Sequence, residues 1–281
     1  MLQDALGQAD VVLLSGGTSK GAGDLSYRAV SELSEPGTVA HGVALKPGKP
    51  ICLAAHQGKP VVILPGFPTS AIFTFHEFVA PLLRRLTGTA ERERGVVPAT
   101  VPLRITSATG RTEYSLVEVA EGPAGLAAYP IGAGSGSVTA FGRADGFVRI
   151  PASTEYVEAG SVVDVHLLKP SLRPADLVAI GSHCIGLDYL LGLLTDAGFR
   201  VKMVPVGSMG GLAAVGRGEA DVAGIHVMDA GTGEVKWKHE TGDEITWGDQ
   251  IVVQTQGQPR RAASCRRGKE NQDRPGPAGA H

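Results

Sequence analysis

Three short runs near the start of the chain combine residue types suited to holding an anion. The first is Ser15-Gly16-Gly17-Thr18-Ser19-Lys20-Gly21-Ala22-Gly23-Asp24. The apolar stretch Val11 to Leu14 leads into it, and a helical pattern follows Asp24. This reads as a strand, a glycine turn and a helix start. Glycine lets the backbone turn tightly and approach a ligand closely. The amides of such a turn, with those of a helix N-terminus, favour an anion. Asp24 is then free to hold a divalent metal or to orient a leaving group. Taken alone, the run is equally an ordinary βα turn. It is not a P-loop, because no Lys-Ser or Lys-Thr pair follows at the required spacing, and it is not a G-x-G-x-x-G fingerprint.

The second run is Lys46-Pro47-Gly48-Lys49-Pro50. Its plain reading is a solvated loop. Two prolines that fix φ on both sides favour a positioned loop offering two ammonium groups. The third run is Pro65-Gly66-Phe67-Pro68-Thr69-Ser70-Ala71, which ends a strand and opens a helix. Pro68 suits the start of a helix, with Thr69 or Ser70 as the N-cap hydroxyl. Ligands of open α/β sheets sit at the carboxyl ends of strands. The three runs are therefore expected to converge on a phosphorylated ligand.

The elements that must position these runs follow from the apolar pattern. Leu25, Ala29, Val30 and Leu33 form a helical stripe that ends at Glu35-Pro36-Gly37. Thr38 to Leu45 reads as a strand. Ile51 to Ala55 and Val61 to Leu64 read as strands joined by the hairpin-like His56-Gln57-Gly58-Lys59. A helix is predicted from the third run to about Leu86. A polar linker then leads to short β patterns broken by glycine, from Val96 to Leu168. Within them, Gly132-Ala133-Gly134-Ser135-Gly136-Ser137 reads as a flexible turn more than a phosphate cradle, since no helix is apparent after it.

Beyond the linker Lys169 to Pro174 the α/β texture returns. Asp176 to Ile180, Phe199 to Pro205 and Glu219 to His226 supply strands, with helices after Gly181-Ser182-His183-Cys184 and after Gly207-Ser208. Twice a strand delivers a Gly-Ser pair to a helix start. Paired helix N-termini suit an oxyanion or carboxylate. Ser182, His183 and Ser208 are the candidate ligand residues there. His183 and His226 are otherwise read as packed or surface histidines. Residues 254–281 have almost no apolar side chains and read as a disordered tail. Its Arg260, Arg261, Arg266, Arg267 and Lys269 are weighed as a basic patch, but a tail without function is the preferred reading.

Composition sets limits on function. Of 281 residues, 43% are hydrophobic, enough for sizeable cores in two or more domains. A net charge of -2 gives no general pull toward nucleic acid or an anionic membrane. Three dispersed cysteines, Cys52, Cys184 and Cys265, argue against a disulfide framework or a cysteine-based zinc site. No apolar run approaches the ~18 residues of a membrane helix, and the first residues lack the pattern of a signal peptide. A soluble protein of the cytoplasm is expected.

The three runs together resemble the molybdopterin molybdenumtransferase (MoeA/gephyrin) family. The pieces that carry the resemblance are Leu14 to Gly21 with Asp24, Ala44 to Pro50, and Leu64 to Ala71, in that order. Gly134-Ser135-Gly136 and Ala144-Asp145-Gly146 are similar to that family's C-terminal β domain. Residues 176 to about 237 resemble a periplasmic-binding-protein-like domain. The implied fold class is α/β. It comprises a partial molybdopterin-binding three-layer domain (1–90), a small β-barrel-like domain (96–168) and a partial periplasmic-binding-protein-like domain (175–250). The implied activity is insertion of molybdenum from molybdate into adenylylated molybdopterin, with Mg²⁺, releasing AMP. Under that resemblance Ser15, Gly16, Gly17, Thr18, Ser19 and Gly21 contact the pterin or its phosphate. Asp24 takes the metal-linked role, and Lys46 and Lys49 face phosphate or oxyanion. Pro65, Gly66, Pro68 and Ser70 shape the molybdate side. The family is dimeric at full length, and its N-terminal domains and the first half of its catalytic domain have no counterpart here. Phe67 stands where the family loop carries an asparagine.

Overall fold

The computed structural model describes residues 1–18, 24–90, 95–132, 138–172, 174–225, 250–255 and 258–264, the last two stretches by backbone alone. Ser19, Gly21, His226 and Cys265 lie outside the described residues, as does most of the glycine-rich loop before Val138. The chain divides into two compact units, Met1–Ala120 with Gly125–Arg173, and Glu121–Ala124 with Pro174–His281. The stretches read as 1–90 and 96–168 thus fall within one unit, apart from Glu121–Ala124.

The first unit opens with helix α1 (Leu2–Gln8), strand β1 (Val12–Ser15), helix α2 (Leu25–Ser31), and strands β2 (Pro36–His41), β3 (Leu45–Lys46), β4 (Cys52–His56) and β5 (Lys59–Leu64). Four of these strands form a sheet in the order β1-β5-β4-β2, with β1 parallel to β5 and the other pairs antiparallel. Successive residues of a strand face opposite sides, and β5 shows why this sheet needs two helical layers. Val61 and Ile63 pack with Leu6 and Val30 of α1 and α2, while Val62 packs on the opposite side with Ile51 and Val79. The expected hairpin is present: His56 pairs with Lys59 across Gln57 and Gly58, both at positive φ, which is the signature of a tight two-residue turn.

After β5 the chain runs through α3 (Pro68–Thr74), a π-helical turn (Phe75–Val79) and α4 (Ala80–Thr87). The sequence pattern predicts one continuous helix here. Pro81 explains the break. It has no N–H for the carbonyl of Glu77, and its ring crowds that carbonyl, so the preceding turn widens. The expected hydroxyl cap is also absent. Phe67 is the N-cap with no side-chain cap bond, and Thr69 and Ser70 are buried within the first turn.

The unit continues with β6 (Val96–Thr100), β7 (Ile105–Thr106), β8 (Thr112–Gly122), β9 (Gly125–Pro130), α5 (Val138–Arg143), β10 (Gly146–Ile150), β11 (Tyr156–Val157) and β12 (Val162–Leu167). The order β10-β12-β6-β9-β8 closes on itself through β10–β8, giving a five-stranded barrel. Closure removes the sheet edges, and the inward residues Val101, Val117, Ile150 and Val165 fill the interior at 1% exposure or less. Strand β3 adds to β8 in parallel, so the second run of the site belongs to the barrel's sheet and not to the four-stranded one. Helix α5 is a departure from expectation, because a helix does follow the glycine-rich loop. It is held by a bidentate contact in which Arg143 donates to buried Glu118 at 3.2 and 3.0 Å. The Ala144-Asp145-Gly146 motif has a structural explanation. Asp145 accepts the amide of Val119, and a Cβ on Gly146 would lie 2.7 Å from the carbonyl oxygen of His166.

The second unit contains β13 (Leu177–Gly181), α6 (Ile185–Asp196), β14 (Val201–Pro205), α7 (Gly207–Gly216), β15 (Val222–Ile225), β16 (Gln250–Thr255) and β17 (Gln258–Ser264). The strand order is β14-β13-β15-β16-β17, parallel through β15 and antiparallel beyond it. Strand β17 lies within the stretch that composition reads as a disordered tail. Its backbone pairing with β16 continues to Ser264. No helix among the described residues is long and apolar enough to cross a membrane.

Candidate functional site: a glycine loop with a buried unpaired carboxylate oxygen

Strand β1 ends at Ser15, and the chain turns through Gly16 and Gly17, both in the left-handed region at φ 79° and 69°. Only glycine adopts two such residues in succession without strain. Space enforces the same choice at Gly17, where a Cβ would lie 2.7 Å from Ser26 Oγ. The Gly16 amide donates to the carbonyl of Leu64 at 2.9 Å, tying this loop to the end of β5. Beyond that bond the two loops touch backbone to backbone, because a Cβ on Gly66 would lie 3.7 Å from the Cα of Gly16. The first and third runs therefore meet at adjacent carboxyl ends of the parallel pair β1 and β5. The second run reaches the same region from another side: a Cβ on Gly48 would fall against Thr74 and near the Ser70 carbonyl of α3.

Two donors hold the carbonyls of the glycine loop. The Tyr27 amide donates to Gly17 O at 3.3 Å, and His41 Nε2 lies 3.0 Å from Thr18 O. The Tyr27 and His41 rings stack at 4.1 Å. Thr18 is only 6% exposed.

Asp24 is the N-cap residue of α2, but its side chain makes no cap bond. Its Oδ2 is buried and has no hydrogen-bond partner among the described residues. A buried carboxylate oxygen without a partner is costly, and such a group is usually completed by a cation, a water or a ligand. This fits a divalent metal of the Mg²⁺ kind, which is commonly held by one or two carboxylates with substrate phosphates completing the shell. The described residues contain no cluster of three acidic, histidine or cysteine side chains able to hold a metal alone.

The two lysines of the second run differ. Lys46 Nζ lies 2.9 Å from Glu113 Oε1, and Glu113 also accepts from Ser107 Oγ and the Ala108 amide. That charge is already paired within the unit, contrary to the expectation that it faces a ligand. Lys49 is exposed and makes no ion pair among the described residues. Pro65 is buried while Gly66, Phe67 and Pro68 are exposed, and Phe67 presents 62% of its surface. Ser70, at 3% exposure, is packed into α3. Sequence reasoning missed His41, Tyr27 and Glu113, since each reaches its partner in the site across ten or more residues of chain. A groove of about 590 Å³ lies apart from these loops, on the barrel, between Arg149, Tyr156, Glu158 and Asp164. Its charges are of both signs, which gives no single ligand class.

In the second unit, Ser182 Oγ and Ser208 Oγ lie 2.9 Å apart, so the two Gly-Ser helix starts do converge. Helix α6 is capped by Cys184, whose sulfur accepts the Leu187 amide. His183 pairs with Asp188 at 2.8 Å, both about half exposed.

The first unit is a three-layer α/β segment with a glycine loop, joined to a closed five-stranded barrel, and comparison with known proteins places this combination. Residues 1–85 match the family described as a probable molybdopterin binding domain, and residues 98–168 match the MoeA C-terminal region (domain IV). Residues 193–253 match a PBP superfamily domain. A protein of Methanocaldococcus jannaschii named for molybdopterin biosynthesis is 32% identical over 171 residues, covering 60% of this chain and 39% of that protein. The molybdopterin molybdenumtransferase of Staphylococcus aureus is 27% identical over 180 residues, covering 63% of this chain and 42% of its own length. Molybdopterin molybdenumtransferase 1 of Mycobacterium tuberculosis is 29% identical over 177 residues, covering 60% and 41%. A solved molybdopterin biosynthesis MoeA protein from Pyrococcus horikosii is 39% identical, with a TM-score of 0.48, covering 60% of this chain and 39% of that one. Over its first two matched segments the chain belongs to the MoeA family of molybdenum cofactor biosynthesis, followed by a PBP-like segment. It spans about two fifths of the length of the curated relatives it matches.

Proposed function

We propose that the first unit contributes to a molybdopterin molybdenumtransferase site, at which molybdenum from molybdate is inserted into adenylylated molybdopterin and AMP is released. One observation carries this reading: the buried Oδ2 of Asp24, without a partner among the described residues, beside a glycine loop that packs on Gly66. The amides of Gly17 and Thr18 would take a phosphate oxygen, with the Ser15 hydroxyl at the rim. Asp24 would hold Mg²⁺, which when bound supplies positive charge to phosphate oxygens. Exposed Lys49 would add an ammonium, whereas Lys46 would have to leave Glu113 first. The cytoplasm is the compartment proposed, and a second copy of the full-length protein is the partner that the resemblance implies.

The test is calorimetric binding of molybdopterin-AMP with Mg²⁺ to the chain and to Asp24→Ala. Binding that weakens about tenfold or more in the variant supports the site, on the scale of one lost charge-assisted contact. No binding, or binding indifferent to the substitution, would sink it.

A second reading concerns the PBP-like unit alone, as a non-catalytic module for a small oxyanion or a pterin. The 2.9 Å approach of Ser182 and Ser208 at two helix starts favours it. Thermal shift with molybdate is the check. A shift that survives bulky replacement of Gly207 and Ser208 counts against it.

A further inference from the structure

An amide nest holds an anion only if its carbonyl oxygens are turned away from the ligand, since a carbonyl facing phosphate repels it. Two consecutive carbonyls of the glycine loop are turned in this sense by identified donors. Gly17 O takes the Tyr27 amide at 3.3 Å, and Thr18 O takes His41 at 3.0 Å. The first donor is backbone and is fixed by α2. The second is a side chain from the end of β2, 23 residues away.

A carbonyl can only accept, so the bond itself assigns the proton: His41 Nε2 carries hydrogen whether the ring is neutral or charged. The ring is held by its 4.1 Å stack on Tyr27, whose amide makes the neighbouring bond. Tyr27 and His41 thus form one clamp, with Tyr27 binding one loop carbonyl directly and orienting the imidazole that binds the next.

We propose that His41 is a positioning residue of the phosphate loop, donating Nε2–H to Thr18 O so that the loop amides remain available to an anion. This rests on reading Gly16–Thr18 as a phosphate site. His41 touches no substrate in this assignment and acts through the loop.

Two variants separate its parts. His41→Phe keeps a ring for the Tyr27 stack and removes the donor. His41→Gln removes the ring and keeps an N–H at comparable reach. Two measurements on the whole chain are needed. In the first, hydrogen exchange of the Leu14–Thr18 amides is followed without ligand. Exchange in His41→Phe is expected to rise about fivefold or more, with recovery toward the parent rate in His41→Gln. In the second, binding of AMP with Mg²⁺ is followed by calorimetry. His41→Phe is expected to weaken it about tenfold, with His41→Gln within about threefold of the parent. Unchanged exchange in His41→Phe, or a glutamine variant as impaired as the phenylalanine one, overturns the proposal. If the parent chain itself takes no AMP, the phosphate-site reading falls, and exchange alone decides the role of His41.

Discussion

Both units make strand-to-helix glycine turns, and those of the two units are built to opposite ends. After β1, the glycine turn has the carbonyls of Gly17 and Thr18 satisfied by Tyr27 and His41, while a carboxylate oxygen of Asp24 is left buried without a partner among the described residues. After β13 and β14, the polar groups satisfy one another: Ser182 and Ser208 share a hydrogen bond and Cys184 caps α6. A site prepared for a charged ligand keeps an uncompensated group, at a cost in stability. A turn whose polar groups are closed on each other carries no such uncompensated group, so an oxyanion entering the second unit would have to displace the Ser182–Ser208 bond.

Substitutions can break or sharpen that contrast. The largest effect is expected in the second unit, where packing rather than polarity sets the turn. A Cβ on Gly181 would lie 2.5 Å from the backbone oxygen of Gly224, which cannot rotate aside. Gly181→Ala should cost about 3 kcal/mol in urea unfolding, at the upper end for overpacking. An unchanged midpoint would show that the β13–β15 spacing is looser than described. Gly17→Ala forces a side chain into φ 69° against Ser26, which should cost about 1–3 kcal/mol and also weaken AMP binding.

Asp24→Asn and Ser182→Ala should differ in sign. Neutralising a carboxylate whose Oδ2 is buried without a partner among the described residues should leave stability unchanged or raise it by up to about 1 kcal/mol while lowering affinity for a Mg²⁺-phosphate ligand. Removing the Ser182 hydroxyl should lower stability by about 1 kcal/mol. Destabilisation by Asp24→Asn would mean that the carboxylate is structural and would dissolve the contrast.

The smallest effect is a pH dependence of the second unit. The side-chain and backbone hydrogen bonds from Arg200 hold the Asp176 carboxyl below its ordinary 3.8. A lowered folded value means that the contribution is present above about 3.8 and is lost as pH falls through the folded value. Arg200→Gln should flatten the acid limb of the unfolding curve below that pH, and an unchanged limb would remove Asp176 as its source.

The sequence was most informative where a local rule acts alone. The periodicity of Val61 to Leu64, the turn at Gln57–Gly58 and the glycine pair after β1 were legible because strand alternation and positive φ leave marks at fixed spacing. The π-helical turn was legible too, in Pro81, but the apolar stripe around it dominated the reading. Helix α5 was not, since its arginine is held by Glu118, a residue far back along β8. Residues 254–255 and 258–264 pair as strands although composition reads them as part of a disordered tail, because composition measures the chance of burying apolar surface. Backbone pairing with β16 is a different source of order.

By itself, then, the sequence determined that a glycine turn with a following aspartate exists, together with two companion loops, because residue type alone limits backbone angles and charge. Tertiary structure decided which of those groups remain free. It paired Lys46 with Glu113, buried Ser70, and brought His41 to the Thr18 carbonyl from a strand 23 residues on. It also left Asp24 Oδ2 buried without a partner among the described residues. Whether a polar group is satisfied depends on neighbours distant in the chain, and no local pattern encodes them.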